Sequence, residues 1–259
     1  MSDTVLLERD RAVGIITLNR PERHNAMDDE TAARYQELLD MALNDEAVRV
    51  VLLRGAGKSF CSGRDTRVLG HRALDESDYQ FVRRAQQGRL KVLDSPKPFV
   101  AAVRGAAIGG GCELALACDI RIAASDLKLA LPEIGYGLLP DTGGTQYLAT
   151  LIGPARTKYM VMSGDRIDAR TALAWGAVDF VVEPAELDAF ALGVAQAIAS
   201  KPPIALAMAK TLIDHATVGA IRSGIAQELL AQTALFKTED YAEARAALRE
   251  KRTPVYKGK

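Results

Sequence analysis

Three short apolar runs, Val48–Leu53, Phe99–Val103 and Ile120–Ala124, constrain the fold of this chain more than any other feature. Each has the length of a strand, and only Arg49 and Arg121 interrupt them, so both alternating faces are apolar. A strand that is apolar on both faces has to be covered on both, which calls for a parallel sheet flanked by helices. Helical patterns lie between the runs. Asp28-Asp29-Glu30 puts acids where a helix N-terminus favours them, and Tyr35, Leu38, Leu39, Ala42 and Leu43 follow on one face. Val5–Glu8 and Val13–Leu18, around Arg9-Asp10-Arg11, read as a hairpin ahead of the sheet, with Asn19-Arg20-Pro21 breaking the second strand.

Beyond Leu151 the strand signals thin to one, Val178–Val182. Pro203 opens an alanine-rich helix over Ile204–Ile213, Ile221, Ile225 and Leu229 recur at helical spacing, and Tyr241–Arg249 predicts a further helix ahead of Pro254. No internal repeat or low-complexity linker is visible. This helical last third cannot bury its apolar stripes alone, so it is expected to pack on the α/β part or on a second copy.

Composition narrows the function classes. With 259 residues, 48% hydrophobic and 25% charged, the chain is neither disordered nor collagen-like. Its 33 Lys and Arg balance 33 Asp and Glu, leaving no electrostatic footprint for nucleic acid or an anionic membrane. The three cysteines, Cys61, Cys112 and Cys118, have no metal-ligand spacing, which points to a reducing compartment. No secretory signal pattern opens the sequence and no long uninterrupted apolar run occurs, so a cytoplasmic location is the expectation.

The chemistry is expected at two glycine turns. Gly105-Ala-Ala-Ile-Gly109-Gly110-Gly111 follows the strand Phe99–Val103 directly and leads into a helix at Cys112-Glu113-Leu114. Such a turn presents free backbone N–H groups to whatever lies above it. The G-x-G-x-x-G spacing of a dinucleotide fold and the phosphate-loop lysine motif are both absent. Ser59-Phe-Cys-Ser-Gly-Arg-Asp65 forms the second turn, after the strand Val48–Leu53. Two strand-end turns of one sheet can aim two N–H donors at a single oxygen, the arrangement of an oxyanion hole. Taken singly, each turn reads first as connection geometry.

Glu113 lies in the first turn of the helix after Gly111, Glu133 follows Pro132, and Asp141 follows Pro140 ahead of Thr142-Gly-Gly-Thr145. Each acid alone reads as a capping or surface residue; together, beside an anion site, they form a proton-transfer set. His24, His71 and His215 are scattered and no G-x-S-x-G is present, so a serine triad is not expected. Trp175, before Gly176, reads as core at a helix end.

Leu18-Asn-Arg-Pro-Glu-Arg-His-Asn-Ala26, Phe60-Cys-Ser-Gly-Arg-Asp65, Gly109-Gly-Gly-Cys-Glu-Leu-Ala-Leu-Ala-Cys-Asp119, Leu131-Pro-Glu133, Gly137-Leu-Leu-Pro-Asp-Thr-Gly-Gly-Thr145 and Glu250-Lys-Arg-Thr-Pro-Val-Tyr256 occur in this order. Over essentially the whole chain this resembles the enoyl-CoA hydratase/isomerase (crotonase) family. The resemblance implies an α/β fold, a crotonase-like spiral of ββα units over 1–200, followed by a C-terminal α-helical trimerisation region over 201–259. It further implies a homotrimer or hexamer, an acyl-CoA thioester as ligand, and no cofactor beyond the CoA that the substrate itself carries. No metal, nucleic acid or membrane enters.

Carried over residue by residue, the resemblance puts the two oxyanion N–H groups on Arg64 and Gly110, the hydratase glutamates on Glu113 and Glu133, and a further acid, used in dienoyl-CoA isomerase-like members, on Asp141. The CoA-holding lysine falls on Lys58. Ala26, Ser62 and Asp65 complete the implied binding set with Arg23, which substitutes for a lysine that some relatives carry where Glu22 stands here. The oxyanion position at Arg64 is often a small residue, so its long side chain has to point away from the site. Arg67 and Arg72 join Arg64 as cations within reach of CoA phosphates, or as parts of a solvated loop. The charge-rich stretch Thr66–Gln87, which matches no pattern, falls where the family shapes its acyl pocket.

The expected reaction is hydration of an α,β-unsaturated thioester. Glu113, at a helix N-terminus, is assigned to the water, and Glu133, after an apolar run, to the protonated donor. The alternatives are an enoyl-CoA or dienoyl-CoA isomerase using Glu133 and Asp141, a CoA-thioester hydrolase, and a non-catalytic acyl-CoA- or RNA-binding member.

Overall fold

The computed structural model describes residues 4–71 and 75–259. β1 (Val5–Asp10) and β2 (Val13–Leu18) form an antiparallel hairpin, and β3 (Val50–Gly55), β4 (Phe99–Val103), β6 (Ile120–Ala124) and β9 (Phe180–Val182) continue from it in parallel. β5 (Ala106–Ile108), β7 (Lys128–Ala130) and the antiparallel β8 (Ile167–Asp168) make a second, smaller sheet.

β4 pairs with β6 while β5 pairs with β7, so consecutive strand–strand units advance in step through both sheets. An isolated parallel bridge, Cys61 to Ala107, carries the same advance back to the end of β3. The spiral is a repeat of backbone topology: the units share no sequence period, because their loops differ in length and carry different work.

The helices are α1 (Asp29–Asn44), α2 (Asp78–Asp94), α3 (Gly110–Leu116), α4 (Gly144–Ile152), α5 (Pro154–Ser163), α6 (Ala169–Trp175), α7 (Leu187–Ala199), α8 (Pro203–Asp214), α9 (Val218–Leu235) and α10 (Glu239–Glu250). α1 starts where the acids place it, with the Asp28 carboxylate accepting the Thr31 N–H. Its residues Tyr35, Leu38, Leu39 and Ala42 are buried in the larger of two cores. Leu187, Ala191, Ala195 and Ala199 of α7 cover the opposite sheet face, against Val50, Leu52, Val100 and Ile122. The sheet is thus enclosed on both sides, as its doubly apolar strands require.

Three strands differ in their bounds from the sequence expectation. The first strand runs on to Asp10 and the hairpin turns at Arg11-Ala12, with Arg11 at φ 54. β3 is shifted from Val48–Leu53 to Val50–Gly55, because register with β2 pairs Val13 with Val50 and Leu18 with Gly55, leaving Arg49 exposed outside the ladder. β9 is shortened to Phe180–Val182 by its pairing with Ile122–Ala124. Arg121 stays inside β6 because its buried guanidinium is satisfied: it donates to the Ala177 and Cys118 carbonyls and pairs with Asp179 at 3.0 Å.

The unread stretch Thr66–Gln87 contains a 3₁₀ turn (Thr66–Val68) and the first part of α2. α2 begins on a capping box: Ser77 receives the Gln80 N–H while the Gln80 side chain receives the Ser77 N–H. Ser77-x-x-Gln80 was the available signal for this helix. α9 packs on α2 and α4, and α10 on the 3₁₀ turn Glu133–Tyr136. α8 buries little besides Lys210, which pairs with Asp119 and Asp214. Among the described residues no single helix is long and apolar enough to cross a membrane.

Candidate active site

The two glycine turns meet. A Cβ at Gly63 would stand 3.1 Å from the Gly110 nitrogen, so the turn carrying Arg64 lies against the start of α3. A short parallel bridge fixes the direction of the Arg64 N–H. Met27 N donates to the Gly63 carbonyl and Asp65 N donates to the Met27 carbonyl, so the alternation of the extended chain turns the intervening Arg64 N–H away from Met27. Gly110 is the first residue of α3, where an N–H has no partner within the helix. Neither N–H has an acceptor among the described residues, and both Arg64 and Gly110 line a cavity of about 240 Å³.

The Arg64 side chain stays beside the cavity, against Asp29 and Phe81, which both line it. Its guanidinium pairs with both oxygens of Asp29, at 2.7 and 3.3 Å, and lies over the Phe81 ring. Arg84, paired with Glu76 at 2.6 Å, also lies over that ring. The unread stretch therefore supplies one wall of the cavity.

Glu113, Glu133 and Asp141 line the same cavity. Glu113 is 2% exposed, and its Oε1 accepts the N–H groups of Thr142 (2.8 Å) and Gly144 (2.9 Å). Both bonds fall on one oxygen, which leaves Oε2 to address a water or substrate. Glu133 sits in the turn after Pro132 with its Oε2 buried and without a hydrogen-bond partner. Burial, then the charge of Glu113, pushes its pKa well above the ordinary glutamate range. Burial and Glu113 likewise raise Asp141 to about 7, against opposing contributions from a Gln232 hydrogen bond and the Arg89 charge.

Several residues of the site went unread in the sequence. Arg89 of α2, buried, donates Nη2 to the Gly110 carbonyl at 2.9 Å, fixing the peptide that follows the Gly110 N–H. Gln86, one turn earlier, donates to the carbonyls of Asp141 (2.7 Å) and Ile225 (2.8 Å). From α9, Gln232 accepts the Leu139 N–H at 3.2 Å, and Glu228 raises a fourth carboxyl beside the others. The signal was present: Glu228 and Gln232 continue the face of Ile221 and Ile225, polar residues at buried helical positions.

A wider basin of about 790 Å³ adjoins the cavity and shares Ser62, Arg64, Thr66 and Ile108 with it. Arg23, Ala26, Lys58 and Asp65 lie on its wall, beside Arg67, Lys128 and Arg166. The binding residues expected from the resemblance are thus together there, except Gly110, which lines the inner cavity. The Asp65 carboxylate is committed to the protein: Arg67 foremost, with Arg20, holds its pKa near 2. Arg72 falls outside the described residues. His24 hydrogen-bonds Ser59 at 2.9 Å on the basin wall. The three cysteines are free and buried, and Trp175 packs partly buried against the core, edge-on to Tyr159. Among the described residues no His, Cys, Asp and Glu cluster is arranged to hold a metal.

The family profile of enoyl-CoA hydratase/isomerase matches residues 8–259. The chain belongs to this family. Within the enoyl-CoA hydratase/isomerase family it is 37% identical to a short-chain-enoyl-CoA hydratase of Clostridium acetobutylicum, covering 96% of each chain. It is 35% identical to the 2,3-dehydroadipyl-CoA hydratase of Escherichia coli, over 98% of this chain and 99% of that one. Among solved structures, a carnitinyl-CoA hydratase of Mycobacterium avium superposes with a TM-score of 0.89 at 31% identity, each chain covered completely. The fold is therefore the crotonase fold, with relatives that differ in their named substrates.

Proposed function

We propose that the protein is an enoyl-CoA hydratase. The observation that carries this reading is that Arg64 and Gly110, whose N–H groups have no acceptor among the described residues, line one cavity with Glu113 and Glu133. An α,β-unsaturated thioester accepts a nucleophile at Cβ only as its carbonyl oxygen takes up charge. Two fixed N–H donors stabilise that enolate, each contributing on the order of 10²–10³ in rate. Glu113 Oε2 takes a proton from water as the hydroxyl oxygen bonds to Cβ and the π electrons move to the enolate oxygen. Glu133, which burial keeps protonated, then delivers its proton to Cα as the carbonyl reforms. Proton exchange with solvent resets the two carboxyls. The thioester's CoA portion lies along the basic basin, whose wall carries Lys58 and Arg23.

A second reading is isomerisation, and one observation favours it. Asp141 lines the same cavity, and with a pKa near 7 it can both give and take a proton at neutral pH. We also propose self-association through α8, whose Ile204, Met208 and Leu212 recur every fourth residue and are 76%, 63% and 73% exposed. A panel of enoyl-, dienoyl- and saturated acyl-CoA thioesters in deuterated water tests the reaction. Mass gain with loss of the conjugated absorbance supports hydration, deuterium uptake without water addition supports isomerisation, and thiol release overturns both.

A further inference from the structure

We propose that Glu228 is a positioning residue, which holds the Glu113 carboxylate in place by clamping the loop that Glu113 binds. The inference rests on the hydratase reading for its kinetic readout only.

The loop is the segment Thr142-Gly143-Gly144-Thr145, whose last two residues open α4. Its N-cap is Gly143, at φ 104, so no side chain of the loop itself caps the helix. Two carboxyl groups from distant elements share the task in alternation. Thr142 and Gly144 donate their N–H groups to Glu113 Oε1. Gly143 donates its N–H to Glu228 Oε2 at 2.7 Å, and the Thr145 hydroxyl bonds Glu228 Oε1. Buried N–H groups must be satisfied, so each carboxyl group and the loop fix one another. A Gly-Gly pair imposes little conformation of its own. Release of the Gly143 N–H frees that peptide to rotate, and the rotation carries the Thr142 and Gly144 N–H groups off Glu113. Gln86 and Gln232 hold the Asp141 and Leu139 ends of the segment, but neither bonds the Gly-Gly pair. Glu228 is also an expensive choice for structure alone. Burial first, then Glu113, raises it to about 8, so it stands close to other acids in the site.

The test compares Glu228→Ala, Glu228→Gln and Thr145→Val in enoyl-CoA hydration, with site-resolved amide hydrogen exchange on the same proteins. Glu228→Ala is expected to lower kcat by about 10–100-fold with KM changed less than about threefold. It also speeds exchange at Thr142 and Gly144, which bond Glu113 and not Glu228. Glu228→Gln restores most of kcat, since its amide oxygen still accepts from Gly143 and its amide nitrogen can donate to the Thr145 hydroxyl. An unchanged kcat in Glu228→Ala, or a fall in kcat without faster exchange at Thr142 and Gly144, overturns the proposal. Where Glu228→Ala does not fold, Thr145→Val removes one anchor at nearly constant shape; a lower kcat at constant KM supports the clamp and an unchanged kcat overturns it. A wild-type protein that hydrates no enoyl-CoA defeats the hydratase reading instead, and the exchange comparison then decides the clamp alone.

Discussion

The carboxyl of Glu133 stands directly over Gly109: a Cβ at that glycine would lie 2.8 Å from Glu133 Oε1. Gly109 also has φ 56 and ψ −127, a conformation that side chains rarely adopt. Backbone and acid therefore require the same absence of a side chain. Gly109→Ala is expected to cost about 1–3 kcal/mol of stability from strain alone. Because the methyl displaces Glu133, hydration falls much further than the folded fraction. Thermal unfolding and turnover measured on one preparation check this, and parallel losses in both would contradict it.

The two glutamates are expected to be separately indispensable. Glu113→Gln and Glu133→Gln each lower enoyl-CoA hydration by about 10²–10⁴, the usual contribution of a placed acid or base. Loss of the conjugated absorbance reports the rate. A variant that retains turnover removes that residue from the mechanism.

Asp141→Asn separates hydration from isomerisation. The substitution keeps the shape of the side chain and removes its ability to exchange a proton. Isomerisation of a dienoyl-CoA is expected to fall by about 10²-fold or more, while hydration falls less than about tenfold. Product analysis of both substrates checks it, and collapse of hydration in the folded variant would make Asp141 part of the hydratase machinery.

Stability should decline as pH rises toward 8. Glu228 has a folded-state pKa of about 8 against an ordinary 4.5, so between these values the folded protein binds its proton more tightly than the unfolded chain does. Folding is then most favoured at the acid end of this window and loses that contribution as pH climbs through it. Asp141, raised to about 7, acts in the same direction. Glu228→Gln is expected to flatten the decline, read from denaturant midpoints between pH 5 and 8, and an unaltered slope would exclude Glu228 as its source.

Charge on the exposed face of α8 is expected to block self-association. Met208→Asp or Leu212→Asp places a carboxylate on a mostly exposed stripe, 63% and 73% exposed at these positions, so folding is largely spared. Sedimentation velocity checks this; an unchanged sedimentation coefficient would place any interface elsewhere.

The amino-acid sequence alone determined the layered α/β architecture, because a run such as Phe99–Val103, apolar on both faces, has only one economical environment. It also determined the turns: Gly63, Gly109 and Gly111 occupy backbone conformations or close approaches that other residues do not tolerate. The α2 helix is encoded locally as well, by the capping pair Ser77 and Gln80. Only the tertiary structure decided what Arg89, Glu228 and Gln232 do. Each is polar on a buried helical face, and whether such a residue is a surface group or a partner of the site depends on which elements, far away in the chain, come to lie against it. The pKa of an acid is decided in the same way. Glu133 and Asp141 are ordinary carboxyls in sequence, and their shifts arise from burial and from Glu113, both products of packing that no local pattern encodes.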